Sequence, residues 1–168
     1  MNLHLAVSAF LLGLLVSAAS AACGEDSSAG SELTLEEYFQ RLEAAYQRAD
    51  DQEDALEDQI ERSQDIDVAR NVAPEFLALG EAFIADVEEL VPPDVARDAH
   101  QDALDAAHAL RVEVDQAIDA ADDVESIDEF ESLGDTDSFL TAGERYIQTC
   151  SQLQGIADEL GIEVDLAC

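Results

Sequence analysis

The stretch from Pro92-Pro93 to Val124, PPDVARDAHQDALDAAHALRVEVDQAIDAADDV, constrains the fold more than any other part of the chain. Pro93 can occupy the first turn of a helix, where an amide hydrogen has no helical partner in any case. No Gly or Pro follows until the run ends. Ala103, Ala107, Leu110, Val114, Ala117, Ala121 and Val124 recur at alternating spacings of four and three, which draws one stripe down a helix. The members of that stripe are small, so neighbouring helices can approach closely. The spacing predicts one long helix forming the inner wall of a bundle, and the same helix carries His100 and His108.

A chain of 168 residues with 48% hydrophobic content can bury one good core and is expected to form one domain. Alanine supplies much of that content and aromatics only 5%, a balance that favours close-packed helices over a sheet. Forty acids stand against seven arginines and no lysine. No acid and no arginine precedes Glu25, so the whole net charge of −33 falls after Cys23. Such a surface repels nucleic acid and anionic headgroups, which excludes a DNA- or RNA-binding role.

Leu5 to Val16, LAVSAFLLGLLV, is an apolar run of signal-peptide length, short for a membrane span. Small residues follow it, and then Cys23-Gly24. The pattern resembles a bacterial or archaeal lipoprotein signal, in which the cysteine is lipidated and becomes the mature N-terminus. It departs from that pattern at Ser20, where Leu is usual, and at the opening, where only His4 stands in for Lys or Arg. Ala19-Ser20-Ala21 also fits ordinary secretory cleavage after Ala21. Lipidation of Cys23 is the favoured reading, with residues 1–22 as signal peptide, 23–33 as anchor site and tether, and 34–168 as the folded domain. Cysteine parity agrees: with Cys23 lipidated, Cys150 and Cys168 remain as a pair in an exported, disulfide-permissive setting.

Within 34–168, Thr34-x-x-Glu37 is a capping-box signature. It precedes a heptad stripe of Leu35, Phe39, Leu42, Tyr46, Ala49, Leu56 and Ile60, interrupted only by Glu53. A helix over 34–63 is expected, with Glu53 marking a place where helices splay toward water rather than a ligand contact. Residues 63–73 are ambiguous but lie where the shorter second helix needs extending, and Pro74 is expected to open the clear part of that helix on Phe76, Gly80, Phe83, Val87 and Leu90. Ser126-x-x-Glu129 announces a short helix that stops at Gly134. A last helix over 138–160 carries Phe139, Gly143, Tyr146, Cys150, Leu153 and Ala157 and is capped by Gly161. Gly80 and Gly143 cost helix stability and are read as points of close backbone approach. The fold class is therefore all-α: an antiparallel up-down bundle of about four helices.

The tail after Gly161, IEVDLAC, alternates apolar and acidic residues, so Ile162, Val164 and Leu166 should face the bundle in an extended segment. Seven extended residues cover about 23 Å, and Cys150 lies about 15 Å back from the helix end. The tail can therefore fold back and place Cys168 beside Cys150.

Pro92-Pro93 with Ala99-His100, and the ending of Cys150, Ile156-Ala157-Asp158, Gly161-Ile162 and Val164 to Cys168, resemble uncharacterised helical lipoproteins of bacteria. That resemblance spans most of the mature chain. The group has no assigned activity, so it carries no functional residues over.

The residues themselves offer little chemistry. His100 and His108 lie two turns apart and about 80° around one helix, a poor arrangement for a shared metal. Asp105-x-x-His108 is a single carboxylate–histidine pair where a di-iron bundle needs two Glu-x-x-His segments. His100, His108 and Asp105 are thus weak metal candidates, and structural or surface roles are preferred. Asp135-x-Asp137 reads as a turn with a helix cap rather than a calcium loop. No phosphate loop or nucleophile elbow is present, no cofactor is expected, and the chain is read as a non-enzyme. The favoured function is a membrane-anchored envelope module that binds a protein or small molecule and is adapted to high salt. The alternative is handling of inorganic cations or metals by carboxylates with or without the histidines, and a plain spacer is a third possibility.

Overall fold

The structure, a computed structural model, describes residues 33–168, so the leader, Cys23 and nearly all of the tether lie outside the described residues. Five helices follow in order: α1 (Leu35–Ser63), α2 (Ile66–Glu88), α3 (Arg97–Ala121), the short α4 (Ile127–Glu131) and α5 (Asp137–Glu159), with a 3-10 turn, Ser132–Asp135, between the last two. Among the described residues there is no strand, and no helix is long and apolar enough to cross a membrane. α1 packs on α2, α2 on α3 and α3 on α5; α1 and α5 make no comparably close backbone approach. The architecture is an all-α up-down bundle, as the helical stripes predict.

Local chemistry sets most of the boundaries. Thr34 and Glu37 form a reciprocal capping box, with Glu37 N–H donating to Thr34 Oγ1 at 3.2 Å and Thr34 N–H to Glu37 Oε2 at 3.1 Å. α1 ends where Gln64 turns left-handed at φ 50°. Asp65 then caps α2 by accepting from Asp67 N–H at 2.9 Å. That two-residue break makes α1 and α2 antiparallel neighbours.

Two expectations about helix ends are corrected. α2 begins at Ile66, so Pro74 lies inside it instead of opening it. A proline there removes one backbone hydrogen bond, but Ala69, Val72 and Ala73 are buried around it. Packing of that turn, with the Asp65 cap, carries the helix through the proline. α3 is shorter than the expected run at both ends. Residues 94–96 form a turn in which Ala96 N–H donates to Pro93 C=O at 2.9 Å, and Ala96 is fully buried. At the other end Arg70 of α2 reaches the carbonyls of Ala121, at 3.3 Å, and Val124. A guanidinium there satisfies terminal carbonyls and faces the negative end of the helix dipole. One side chain of a neighbouring helix therefore caps the end of α3 at Ala121.

The short helix after Ser126 is present as expected, with Glu129 N–H on Ser126 Oγ, but α4 ends at Glu131 and the chain reaches Asp135 as a 3-10 turn; α5 starts at Asp137, capped by Phe139 N–H on Thr136 Oγ1, both bonds at 3.2 Å. At the end of α5, Gly161 takes φ +69° and Ile162 N–H reaches back to Ala157 C=O at 2.9 Å, a Schellman-type stop. The tail then doubles back along α5. Gln154 holds it with both ends of its amide, donating to Val164 C=O at 3.0 Å and accepting from Leu166 N–H at 2.9 Å. Asp165 N–H donates to Glu43 Oε1 of α1 at 2.8 Å, so the tail bridges α5 to a helix whose backbone does not otherwise approach it closely. Leu166 is fully buried, and Cys150 and Cys168 lie at disulfide distance with Cα atoms 5.7 Å apart.

The core is concentrated at this end. Tyr38, Phe39, Leu42, Leu153 and Leu166 are completely buried and join Phe83, Val87 and Ala157 in one cluster. In the middle of α3 the expected stripe is only half covered. Ala103, Ala107 and Ala121 are buried, whereas Leu110, Val114 and Ala117 keep part of their surface.

Candidate functional site

The metal candidates are not brought together. His100 is buried, and its Nδ1 is 2.9 Å from the Tyr38 hydroxyl. Burial holds its pKa below the ordinary value, which keeps the ring neutral at neutral pH. His108 is exposed and pairs through Nε2 with Glu88 Oε1 of α2 at 3.2 Å. Asp105 is buried on neither side of the bundle and accepts from Gln101 at 3.0 Å. Among the described residues no group of three or more His, Cys, Asp or Glu side chains is placed to hold a metal ion. Cys23 lies outside the described residues.

The structure opens instead where sequence reasoning expected close packing. Tyr46, Phe83 and Tyr146 form an aromatic trio, with Tyr46–Phe83 edge-on at 4.9 Å and Tyr146 at 6.3 Å from each. On the far side of this trio the four long helices enclose a cavity of about 430 Å³. A second compartment of about 220 Å³ continues toward α4, whose Phe130 lines it together with Leu133 and Gly134 of the 3-10 turn. The two share four residues: Glu53, Phe76, Val114 and Phe139. Both are partly open to solvent and walled mainly by apolar atoms, and the larger alone falls within the roughly 300–1,000 Å³ usual for small-molecule sites.

Gly80 and Gly143 lie on the wall of the larger compartment. No atom of a neighbouring element stands within 4 Å of where a β-carbon would lie at either position. These glycines therefore do not mark close backbone approach. They leave space beside the cavity, which corrects the expectation of close packing at both positions.

Glu53 sits at the junction of the compartments. It is half-buried, and burial is the main reason its carboxyl rises from 4.5 to about 7. Glu57, Asp50 and Asp54 raise it further by repulsion. Its charge reaches Tyr146, whose hydroxyl is held well above its ordinary pKa by burial first, then by Tyr46 and Glu53. Tyr46 is pushed up to about 12, again chiefly by burial. At neutral pH the site therefore presents one carboxyl shared between its neutral and ionised forms beside two neutral phenols. It can accept or donate a hydrogen bond, or supply one negative charge.

The signal for Glu53 was visible as the single break in the α1 stripe. There the helices leave a partly open, mainly apolar chamber, and the carboxylate lines it. Compared with known proteins, the chain matches no family model, no curated protein and no solved structure.

Proposed function

We infer that the protein is an exported lipoprotein, held to the outer face of a membrane by lipid on Cys23, whose acidic bundle is a non-enzymatic binding module for a small molecule. The observation that carries the binding reading is the two-compartment cavity around Glu53. Its placement suits an anchored receptor. The tether joins at Thr34, at the packed end, and Glu53 lies about 28 Å farther along α1. An anchor at residue 23 would leave the cavity in the half of the bundle away from the attachment point. The net charge of −33 supports adaptation to salt, because counterions are needed to damp repulsion over so small a body.

The test uses a Cys23→Ser chain, which is expected to leave the membrane fraction and appear as soluble protein. Titration of that protein with N-phenyl-1-naphthylamine, an uncharged apolar dye, should give a saturable fluorescence rise. Gly143→Phe places a ring in the larger compartment and should abolish the rise while leaving the helical circular dichroism unchanged. Equal dye binding in both proteins would refute the cavity as the site. Retention of Cys23→Ser in the membrane would refute the anchor.

A further inference from the structure

The charges around the cavity narrow the class of ligand. Between them the two compartments are lined by seven acidic side chains and one arginine. On α1 these acids are Asp50, Glu53, Glu57 and Glu61. Beyond α1, Glu131 ends α4, Asp135 closes the 3-10 turn and Glu144 belongs to α5. The arginine is Arg111 of α3, and it is already engaged by Glu81 of α2, with Nη2 at 2.7 Å and Nε at 3.1 Å from the same oxygen. α2 contributes apolar side chains and Gly80 to the lining and no charged group. Low-dielectric walls carrying one sign of charge concentrate the opposite sign inside.

The walls themselves are rich in aromatic rings. Tyr46, Phe76, Phe83, Phe139 and Tyr146 all line the larger compartment. Aromatic faces attract a desolvated cation, above all a quaternary ammonium. Resting on the binding reading above, we propose that the cavity takes an organic cation with an apolar body, an alkyl- or aryl-substituted ammonium, whose head lies at Glu53 and whose body fills the larger compartment.

Three ligand charges can be compared on physical grounds. An anionic amphiphile would bring a further negative charge among the seven acids, at a cost in repulsion. A neutral apolar molecule would fill the chamber but strip more water from Glu53 and leave the repulsion on its carboxylate undiminished. A cation with an apolar body removes apolar surface from water, pairs the one carboxylate that both compartments share, and lowers the repulsion from Asp50, Asp54 and Glu57. Pairing favours the ionised form of Glu53, so binding releases a proton when the solution lies near or below its pKa of about 7. Ordinary carboxylates ionise well below that range, and Tyr46 and Tyr146 are held well above it. Among the groups lining the cavity, loss of affinity on acidification through pH 7 therefore singles out Glu53.

The probes are 3-phenylpropyltrimethylammonium and its uncharged isostere with carbon in place of nitrogen, each competing with N-phenyl-1-naphthylamine on the Cys23→Ser chain in about 0.5 M NaCl, which screens the general surface charge. The cation is expected to bind at least roughly tenfold more tightly than the isostere at pH 8, and to lose that advantage by pH 6. Glu53→Gln should erase the preference for the cation while keeping dye and isostere binding. Asp119→Asn, which removes an exposed acid from α3 outside the cavity, should keep it. Equal displacement by cation and isostere would overturn the ligand class and leave the binding reading standing. A preference that survives in Glu53→Gln would assign it to the aromatic walls and the other lining acids and overturn the role of Glu53. Failure of both probes and of the dye would overturn the binding reading as well.

Discussion

Replacing Glu53 with glutamine should stabilise the protein, and by an amount that depends on pH. In the unfolded chain Glu53 ionises near 4.5; in the bundle it does so near 7. Between those values the folded state holds a proton that the unfolded state has lost. The stability contributed by the protonated form is therefore fully present below about pH 4.5 and is lost as pH rises through about 7. At about 1.36 kcal/mol for each tenfold change, the full penalty on the charged form approaches roughly 3 kcal/mol. Water entering the open cavity reduces this, and about 2 kcal/mol is the expected reading. The glutamine side chain matches the neutral carboxyl in shape and carries no charge at any pH. Urea unfolding of the two proteins in the Cys23→Ser background should show the variant more stable by about 2 kcal/mol at pH 8.5, and by less than about 1 kcal/mol at pH 5. The lower pH stays above the sequence isoelectric point of 4.1, which preserves solubility. In thermal melts the high-pH gain corresponds to roughly 6–10 °C for a domain of this size. High salt should trim the part that comes from Glu57, Asp50 and Asp54 and leave the part that comes from burial. An equal gain at both pH values, or none at either, would show that Glu53 is solvated and that its position at the cavity junction is wrong.

Cys168→Ser should lower stability by about 3 kcal/mol, the chain-entropy value for a loop closed over 18 residues; non-reducing peptide maps should join Cys150 to Cys168, and free alkylation of both thiols in the native protein would refute the bond. Gly80→Ala and Gly143→Ala should each raise stability by about 0.5–1 kcal/mol, because alanine favours helix and its methyl meets open space; a loss in urea melts would mean that the cavity is closed at those positions. Melting temperature should rise steeply from dilute buffer to multimolar NaCl or KCl, and a flat curve would mean that the acids serve solubility or binding rather than salt adaptation.

Much of the bundle is written locally. The Thr34–Glu37 box, the Ser126 cap, the left-handed Gly161 and the alternation of the tail each depend on residues a few positions apart, so composition and spacing suffice to place them. The pairing of Cys150 with Cys168 was legible for a similar reason, since a seven-residue tail can reach only so far. Helix ends decided by partners were not legible. Pro74 marks a start by its own chemistry, and only the burial of Ala69, Val72 and Ala73 makes it an interior residue. Arg70, 51 positions from Ala121, caps the end of α3 at its carbonyl, and no local window of sequence contains both.

The cavity lies furthest from local reading. A stripe of apolar residues has the same spacing whether its helix touches a neighbour or stands a few ångströms away. The tail bridges α5 to α1 at one end, and α4 with its 3-10 turn lines the smaller compartment. Glu53, Gly80 and Gly143 therefore carry their signals in the sequence as a break and two costly glycines. Whether those signals mean contact or space is settled only when the four long helices pack together and leave the cavity between them.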